Sequence, residues 1–562
     1  MKKTVSVFVS VLFLLSALIL PARAEKKDCV FAAASDLHYN QSRQALAGEI
    51  DDPIYWYANR RAAMEDESGF IIDEFLRQCA DDDSVEFVLI AGDMADNGRS
   101  IVEEHLDVAE KFRCFERKTG KQIYVIDGNH DMGDDSACDT AKFKEIYAEF
   151  GYDEALTVDD ATCSYTADLN ETYRLIALDS CDPSKSTEDG LTLSRVNWAL
   201  AQAKQAYADG KYPILMMHHN LLDHLPVQRV LSHDFIVRNH LTTAARFADA
   251  GIRTVITGHE HCSDAAGYIS PLGNRIYDFA VTSLTMYPLQ YRCFSLTDGE
   301  IAYEAKTVLK IDTDALSKAV AGYSEEQLAL MNEDMNAYAK GFLKKGVEYR
   351  LSLSLTPEKL GIDENAFYAA PVLKLVDKLT GILDAPYYGE DSVSSLAEKY
   401  GIALPATQYE TPWDLATELV SWHYAGEEHF EPDSDEVTLL LLTVALIARA
   451  EFARDDVPTL LAAADALNAD GGADALIAQA KKLLGGVSPA EYLAVAALSP
   501  LLYEFAYDAD GVNDNNGTIP GYAESGSAQR AANLSEAFAA LFARIAKNLS
   551  LILSVLSNIG KF

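Results

Sequence analysis

The sequence predicts an α/β layered fold for the first half of the chain and a helical second half. Two observations carry this prediction. Up to about residue 309, short apolar runs alternate with amphipathic stretches of helical period, as strands and helices packed in layers would. After Asp312 the short runs give way to long helical patterns. The 562 residues also exceed what one hydrophobic core usually holds, so two domains are expected.

The first 24 residues have the features of a secretory signal peptide. Lys2 and Lys3 form a basic start, residues 5–20 are apolar, and Ala22-Arg23-Ala24 has the A-x-A form of a cleavage site. We therefore expect an exported protein, extracellular or periplasmic, whose mature chain begins near Glu25. An uncleaved membrane anchor is the alternative, but the apolar run is short for a spanning helix. No other segment is apolar over such a length, so the mature chain is expected to lack a transmembrane segment.

The composition is that of a globular protein, with 49% hydrophobic and 24% charged residues and a net charge of −39. Nucleic acids and anionic membranes attract basic surfaces, so this balance argues against either as a partner. Eight cysteines lie in the first 293 residues, and an exported protein can pair them, but the sequence does not select a pairing. The sequence has no CxxC motif, which argues against a thiolate zinc site.

The first predicted domain covers residues 25–309. Its strands are predicted in the order Val30–Ala34, Val85–Ala91, Ile123–Ile126, Tyr173–Leu178, Tyr212–Met217 and Thr254–Ile256. Amphipathic helices are predicted between several of them, at Gly69–Ala80, Ile101–Lys118 and Leu193–Ala208. Three later runs follow one another without helices, as antiparallel strands would: Arg275–Leu284, Tyr291–Leu296 and Ile301–Leu309.

The second predicted domain, residues 310–562, is all-α. Its helices are predicted at Asp314–Lys345, Glu364–Leu383, Pro412–Trp422, Glu436–Phe452, Ala473–Leu484, Pro489–Tyr507 and Ser527–Ile559. Residues 508–517 resemble a calcium-binding loop, but with Gly517 as the loop glycine the expected first carboxylate and the closing glutamate are missing. An ordinary solvated turn is the better interpretation of so incomplete a motif.

Five motifs of polar residues follow predicted strands: Asp36-Leu37-His38, Gly92-Asp93, Gly128-Asn129-His130-Asp131, His218-His219 and Gly258-His259-Glu260-His261. Any one of them is weak evidence, because strand-end turns are often polar. Together they favour a metal site, because α/β sheets place reactive groups at the carboxyl ends of their strands, and residues i and i+2 of an extended segment point the same way. Of the two adjacent histidines we choose His218, which directly follows the apolar run, since alternation aims His219 the other way.

The order and wording of these motifs resemble the calcineurin-like metallophosphoesterase family over roughly residues 28–305. The wording around Gly92–Asp131 is similar to exported bacterial members labelled cyclic-nucleotide phosphodiesterase-like or acid sphingomyelinase-like. The resemblance implies a four-layer α/β/β/α sandwich, followed here by the all-α domain. It also implies two metal ions bridged by Asp93, one held by Asp36, His38, Asp93 and His261, and the other by Asp93, Asn129, His218 and His259.

The resemblance implies a metal-dependent hydrolase of phosphoric esters, either a phosphodiesterase or a phosphatase. Metal-activated hydroxide would attack a small phosphoester substrate. Imidazole and carboxylate ligands suit iron, manganese or zinc, and spacing does not rank these metals. The expected catalytic residues are Asp93 and His130; His130 binds no metal in this scheme and would assist the leaving group. Asp131 would orient His130 or a ligand, or cap a helix.

The same motifs leave two alternative functions. A catalytically degenerate binding protein could keep the same fold, but the complete ligand set and the intact His130 argue against it. A nuclease would need a basic surface to track a phosphate backbone, which the acidic balance does not offer. Outside the motifs, Trp422-His423-Tyr424 and His429 are interpreted as packing residues, with a lid over the cleft as the alternative. The insert from Tyr39 to Asp66 is expected to shape the substrate pocket.

Overall fold

The computed structural model describes part of the chain: residues 28–40, 63–185, 187–224, 228, 233–297, 299–354, 369–370, 373–374, 378, 383–428, 431, 433–451, 457–468, 471–506 and 511–522. The predicted signal peptide and the predicted helix Ser527–Ile559 lie outside the described residues. Most of the insert after Tyr39, most of the predicted helix Glu364–Leu383 and His429 also lie outside them.

The strands form two mixed sheets. The first has the order β13-β12-β11-β1-β2-β3 and the second the order β4-β5-β6-β7-β8-β10-β9. Their bounds are β1 Cys29–Ala34, β2 Phe87–Ile90, β3 Gln122–Val125, β4 Thr157–Val158, β5 Tyr165–Asp168, β6 Tyr173–Ala177, β7 Tyr212–Met216, β8 Thr254–Thr257, β9 Asp264–Ile269, β10 Arg275–Ala280, β11 Gln290–Leu296, β12 Glu300–Thr307 and β13 Asn516–Pro520.

The two sheets pack face to face through aromatic side chains. Phe279 of β10 lies edge-on to Phe294 of β11, with ring centroids 5.1 Å apart, and Phe294 stacks on Phe31 of β1. All three side chains are fully buried, which places the main hydrophobic core between the sheets. β1, β2 and β3 run parallel in one sheet, and β6, β7 and β8 run parallel in the other.

Helices cover the outer faces of this sandwich. α1 (Ser68–Asp81), α2 (Val102–Thr119) and α3 (Thr140–Ile146) lie beside the first sheet, and α2 contacts β3. On the other side, α4 (Leu193–Ala208) and α5 (His240–Asp249) pack on the second sheet, where they enclose a second, smaller core. The predicted four-layer α/β/β/α architecture is therefore confirmed.

The order of the predicted strands is also confirmed, but the pairing of the last three needs a correction. β11 and β12 do form an antiparallel pair, as expected. β10, in contrast, lies in the other sheet, parallel to β8 and antiparallel to β9. β9 was not predicted, because its sequence Asp-Ala-Ala-Gly-Tyr-Ile has too little apolar character to stand out as a strand.

The second half of the chain is largely helical, as predicted. Its helices are α6 Thr313–Ala319, α7 Glu325–Glu333, α8 Met335–Ser354, α9 Val393–Lys399, α10 Pro412–Ala425, α11 Asp435–Glu451, α12 Val457–Leu467, α13 Asp474–Leu484 and α14 Pro489–Ala506. The single predicted helix Asp314–Lys345 is in fact divided among α6, α7 and α8. Ser324 explains one division, since its side chain caps α7 in a reciprocal capping box.

The expectation of a separate helical unit is wrong in one respect, because β13 belongs to the first sheet. Residues 516–520 pair antiparallel with residues 300–304 of β12 and so extend the sheet at its edge. Beyond β13, Tyr522 is buried and stacks on Tyr212 at 4.7 Å, and its hydroxyl donates to the carbonyl of Pro213. The sequence signal was weak, since Asn-Gly-Thr-Ile-Pro contains residues that strands usually avoid.

Two further findings concern membrane spanning and the thiols. Among the described residues, no helix has the length and apolar character needed to cross a membrane. All eight cysteines fall within the described ranges, no disulfide bond links them, and six of them are buried.

Candidate metal centre

The five motifs come together at one edge of the sandwich. They follow β1, β2 and β3 of the first sheet and β7 and β8 of the second, each at the carboxyl end of its strand. Because these strands run parallel within each sheet, their ends meet on the same side. Backbone hydrogen bonds connect these loops. For example, the N–H of Asp36 donates to the carbonyl of Gly92, and the N–H of Gly258 donates to the carbonyl of His218.

The backbone of these loops is strained at five of the seven predicted metal ligands. Non-glycine residues with positive φ in the described chain include Asp36 (50°), His38 (39°), Asp93 (50°), His259 (70°) and His261 (65°). Such conformations each cost of order 1–3 kcal/mol and persist where the surroundings enforce them, typically at functional sites. Their concentration here indicates that the fold holds these side chains in place for a purpose other than stability.

One group of ligand atoms is formed by Asp36, His38 and His261. Nε2 of His261 lies 3.1 Å from Oδ1 of Asp36 and 3.2 Å from Nε2 of His38. Asp93 approaches the same place, with Oδ2 3.8 Å from Nε2 of His38. The structure thus brings together all four residues predicted for the first ion.

A second group is formed by Asp93, His218 and His259, with Asn129 beside them. Nε2 of His218 lies 3.0 Å from Oδ1 of Asn129 and 3.3 Å from Oδ2 of Asp93. Its Nδ1 donates to the carbonyl of Ala91, which fixes the ring with Nε2 toward the group. These are the four residues predicted for the second ion, and Asp93 belongs to both groups.

The ring nitrogens of His219 point away from both groups of ligand atoms, in keeping with the choice of His218 as the ligand. Its Nδ1 lies 3.0 Å from the hydroxyl of Ser180 and its Nε2 donates to the carbonyl of Thr187. Burial and the neighbouring His218 lower the pKa of His219 to about 3, so the ring is neutral. Its ring centroid lies 4.5 Å from that of His259, where it acts as a packing neighbour.

The donor set fits divalent metal ions. Within each group the ligand atoms lie within 4.8 Å of one another, close to the roughly 4 Å that separates ligands on opposite sides of one ion. Nε2 of His259 is buried without a hydrogen-bond partner. Oδ1 of Asp36 is likewise buried without one, although Nε2 of His261 lies 3.1 Å from it and Nε2 of His38 lies 3.8 Å from it. Buried polar atoms without partners are costly, so a cation at this point would satisfy them.

Charges of both signs are concentrated in this buried site. Burial alone would lower the pKa of His218, but the carboxylates of Asp93 and Asp36 outweigh it and raise the pKa to about 10. Burial would raise the pKa of Asp93, yet His218 and other nearby histidines hold it well below its usual value. In contrast, burial and the histidines around it hold the pKa of His259 well below its usual range, so this ring is a neutral donor.

His130 lies at the mouth of the site, with 17% of its side chain exposed. Its Nδ1 donates to the carbonyl oxygen of Asp96 at 2.7 Å, and its backbone N–H donates to Oδ1 of Asp93 at 2.8 Å. The ring is also near enough to His38 and Asp93 to complete a third group of ligand atoms. Its position therefore suits a residue that assists the leaving group. Metal binding is the alternative role, and the two roles are distinguished by experiment.

Asp96 is a functional residue that the sequence reasoning missed. Its Oδ1 accepts a hydrogen bond from Nδ1 of His38 at 3.0 Å, which leaves Nε2 of that ring as the donor atom for an ion. Its carbonyl orients His130 in the same way. The available signal was its place three residues after Asp93, on the same strand-end loop.

Asp131 has neither of its expected roles. Its carboxylate accepts from the backbone N–H groups of Gly128 at 2.8 Å and Ala95 at 3.1 Å, so it joins two of the loops instead of orienting a ligand or capping a helix. Burial raises the pKa of Asp131 to about 8, with repulsion from Asp93 adding to the effect. The residue that caps the next helix, α3, is Asp139.

Two glycines of the motifs are required by close packing. Gly92 has φ +99°, and a Cβ there would lie 2.5 Å from Nδ1 of His218. A Cβ on Gly258 would collide with the side chains of Ser35 and Asp36. Neither position accepts a side chain without displacing a predicted ligand or its neighbour.

Residues 30–263 match the family described as calcineurin-like phosphoesterase. No curated protein matches the chain. Among solved structures, a dimetal phosphatase from Danio rerio is 11% identical, with a TM-score of 0.36, and the match covers 50% of this chain and 96% of that one. A conserved protein from Streptococcus pneumoniae, described as a predicted phosphoesterase, is 12% identical, with a TM-score of 0.22 and coverages of 50% and 90%.

Both structural likenesses are too low to inform on activity. The family match is of a different kind, because it runs from β1 to the loop that carries His261 and contains all five motifs. The family implies divalent metal ions, and the two groups of donors fit that implication. Over residues 30–263, the chain is therefore similar to the calcineurin-like phosphoesterase family.

Proposed function

We propose that this protein is an exported phosphoesterase with a dinuclear metal centre. The observation that carries the proposal is the convergence of seven donors from five loops into two groups that share Asp93. Asp36, His38 and His261 would hold one ion with Asp93, and Asn129, His218 and His259 would hold the other. When bound, such a pair of ions supplies Lewis-acid activation of the phosphoryl group and of a water molecule.

Residues of the chain then orient the imidazole rings and supply a proton to the leaving group. Asp96 keeps Nδ1 of His38 and of His130 occupied, so Nε2 of each ring is the nitrogen that faces its task. In His130 that nitrogen can exchange a proton with the leaving oxygen of a bound ester. Asp93 holds His130 from the other side by accepting its backbone N–H.

The substrate is a small phosphoester, monoester or diester. The net charge of −39 supports a small molecule over a nucleic acid, because backbone tracking depends on lysine and arginine. Export follows from the basic start, apolar core and cleavage site of the first 24 residues. Mature protein recovered outside the cytoplasm with Met1–Ala24 intact would count against cleavage.

A substrate panel tests this proposal. Metal-free protein is reloaded with Mn²⁺, Zn²⁺ or Fe²⁺ and assayed with p-nitrophenyl phosphate, its bis-ester, cyclic nucleotides and phosphocholine esters. The expected result is metal-dependent hydrolysis of at least one class, abolished in Asp93→Ala together with metal binding. Protein that binds metal but hydrolyses none of these esters would favour the degenerate binding protein.

A further inference from the structure

The loop that carries His259 and His261 depends on support from outside the family-matched segment. Both histidines have left-handed backbone conformations, which persist only where surrounding contacts enforce them. The loop continues into Ser263 and β9, and here the contacts come from the second half of the chain. We call these partners the C-terminal clamp: Tyr424, Ala425, Gly426, Asp514 and Asn515.

Asn515 is the centre of the clamp. Its Oδ1 accepts from the hydroxyl of Ser263 at 3.0 Å, and its Nδ2 donates to the carbonyls of Ala425 and Gly426 at 2.7 and 3.0 Å. The backbone N–H of Ser263 donates to the carbonyl of Tyr424 at 3.1 Å. One amide side chain thus ties the end of α10 to the residue two positions after His261.

Asp514 reinforces the same connection. Its Oδ1 accepts from the backbone N–H of Ala265 at 3.1 Å, and its carbonyl accepts from the guanidinium of Arg292. Arg292 is fully buried and also donates to the hydroxyl of Ser263 and to the carbonyl of Asp264, at 3.0 and 3.1 Å. Of residues 508–517, interpreted from sequence as a solvated turn, the described part from 511 onward includes the buried carboxylate of Asp514 and a network of specific hydrogen bonds.

The segments that contain Ser263, Gly426 and Asp514 pack closely against one another. Gly426 has φ +61°, and a Cβ there would collide with the carbonyl of Ser263 and lie 2.7 Å from Cβ of Asp514. The segment of Asp514 and Asn515 is itself held in register by β13, which begins at the next residue and pairs with β12. The C-terminal clamp thus connects the end of α10 to the first sheet.

We propose that the C-terminal clamp positions the His259–His261 loop, so that metal binding by the first half of the chain depends on Asn515. This inference rests on the proposed function, because it takes the loop to bind ions. Asn515 acts as a positioning residue: its side chain bonds to Ser263, Ala425 and Gly426, and to none of the predicted ligands. Removing partners bonded directly to ligands typically lowers metal affinity 10–100-fold, and because Asn515 acts through Ser263, its loss should lie at the lower end of that range.

The test measures metal affinity in the full mature chain. Metal-free wild type, Asn515→Ala and Asn516→Ala are titrated with Mn²⁺ by calorimetry, and bound metal per chain is counted by elemental analysis. Asn516 is the matched control, because it is the next residue and its side chain is exposed on β13. We expect about a tenfold loss of Mn²⁺ affinity in Asn515→Ala, no change in Asn516→Ala, and the same circular dichroism spectrum for all three proteins.

A second variant keeps the test decisive if Asn515→Ala does not fold. Ser263→Ala removes the hydroxyl that Asn515 and Arg292 share, and should also lower Mn²⁺ affinity. If both variants fold, their effects should not add: the double variant should lose no more affinity than the weaker-binding single variant, because both break one connection.

The outcomes separate the two proposals. Folded Asn515→Ala or Ser263→Ala with wild-type Mn²⁺ affinity overturns the positioning role and leaves the metal centre intact. Wild type that binds no metal ion at all overturns the metal centre, and the positioning role with it. Equal losses in Asn515→Ala and Asn516→Ala would show a general effect of β13 and also overturn the role assigned to Asn515.

Discussion

At the scale of single residues, His130 on a strand-end loop and His105 on α2 illustrate two different uses of one side chain. His130 sits at the mouth of the site with its Nδ1 occupied by Asp96. His105 is fully buried, donates from Nε2 to the carbonyl of Asp131 and accepts at Nδ1 from the hydroxyl of Tyr147. The first arrangement leaves a nitrogen for chemistry, whereas the second uses both nitrogens for structure.

His130→Ala should slow hydrolysis in a way that depends on the leaving group. Loss of a general acid typically costs about 10²–10⁴-fold for an alkoxide, whereas p-nitrophenolate leaves with little help. We therefore expect alkyl phosphate hydrolysis to fall far more than nitrophenyl ester hydrolysis, with metal content unchanged. Steady-state kinetics on both ester types and elemental analysis check this. If His130→Ala loses metal, His130 is a ligand, as the third group of donor atoms would allow.

His105 should make the fold sensitive to mild acid. Burial lowers its pKa to about 4, against an ordinary value near 6.5, so between these values the unfolded chain binds a proton that the folded chain does not. Stability from this residue is present above pH 6.5 and is lost as the pH falls toward 4, with roughly 2 kcal/mol lost between pH 7 and pH 5. Urea unfolding at both pH values should show a loss of stability in wild type that is smaller by roughly this amount in His105→Gln, because other buried histidines such as His219 keep their own contribution.

His233→Gln is the control for that measurement, since the side chain of His233 is 72% exposed. It should keep the pH dependence of the wild type. An unchanged pH dependence in His105→Gln would mean that other groups cause the acid sensitivity.

At the scale of elements, Gly92 after β2 and Gly120 at the end of α2 allow backbone strain to be separated from steric collision. Gly92 and Gly120 both have positive φ, but a Cβ on Gly120 would meet nothing within 4 Å, whereas a Cβ on Gly92 would collide with His218. Gly120→Ala should cost only the left-handed conformation, about 1–2 kcal/mol. Gly92→Ala should cost roughly 1–3 kcal/mol more and should also reduce bound metal, because His218 must move.

Denaturant unfolding and elemental analysis of both variants measure these two effects. Equal destabilisation of the two proteins, with full metal content in each, would contradict the close packing of Gly92 on His218.

The elements that sequence predicted well are those whose signal is local. β1, β2, β3, β7 and β8 are buried apolar runs that end in polar turns, so both their positions and the residues after them could be read directly. The choice of His218 over His219 followed from strand alternation, and the structure places the rings accordingly. Asp96 was missed because its role depends on the path of a loop, and β13 because its pairing partner lies more than two hundred residues away.

At the scale of the whole molecule, the end of the described chain holds the two halves together. Tyr522 packs on Tyr212 and bonds to Pro213, at the start of β7 in the second sheet, while β13 extends the first sheet. A contact from the C-terminal half is therefore part of the sandwich core. The α/β sandwich and the helical region should therefore unfold together.

Tyr522→Ala should destabilise the sandwich by about 3–5 kcal/mol, the usual cost of removing a buried aromatic side chain. Denaturant unfolding, followed by near-ultraviolet circular dichroism, should show the loss. Tyr388→Ala, at an exposed tyrosine of the helical half, is the control and should change stability little. Two separate transitions in the wild type would contradict the joint unfolding of the two halves.

The late position of β13 has a consequence for how the chain is made. Ribosomes add about 5–20 residues per second, so β13 is synthesised roughly 10–40 s after β12, the strand with which it pairs. During that time an unpaired strand edge can pair with another nascent chain. β12 carries Glu300, Glu304 and Lys306, and charges on an edge discourage such pairing. These charges can thus protect the growing protein until β13 is synthesised.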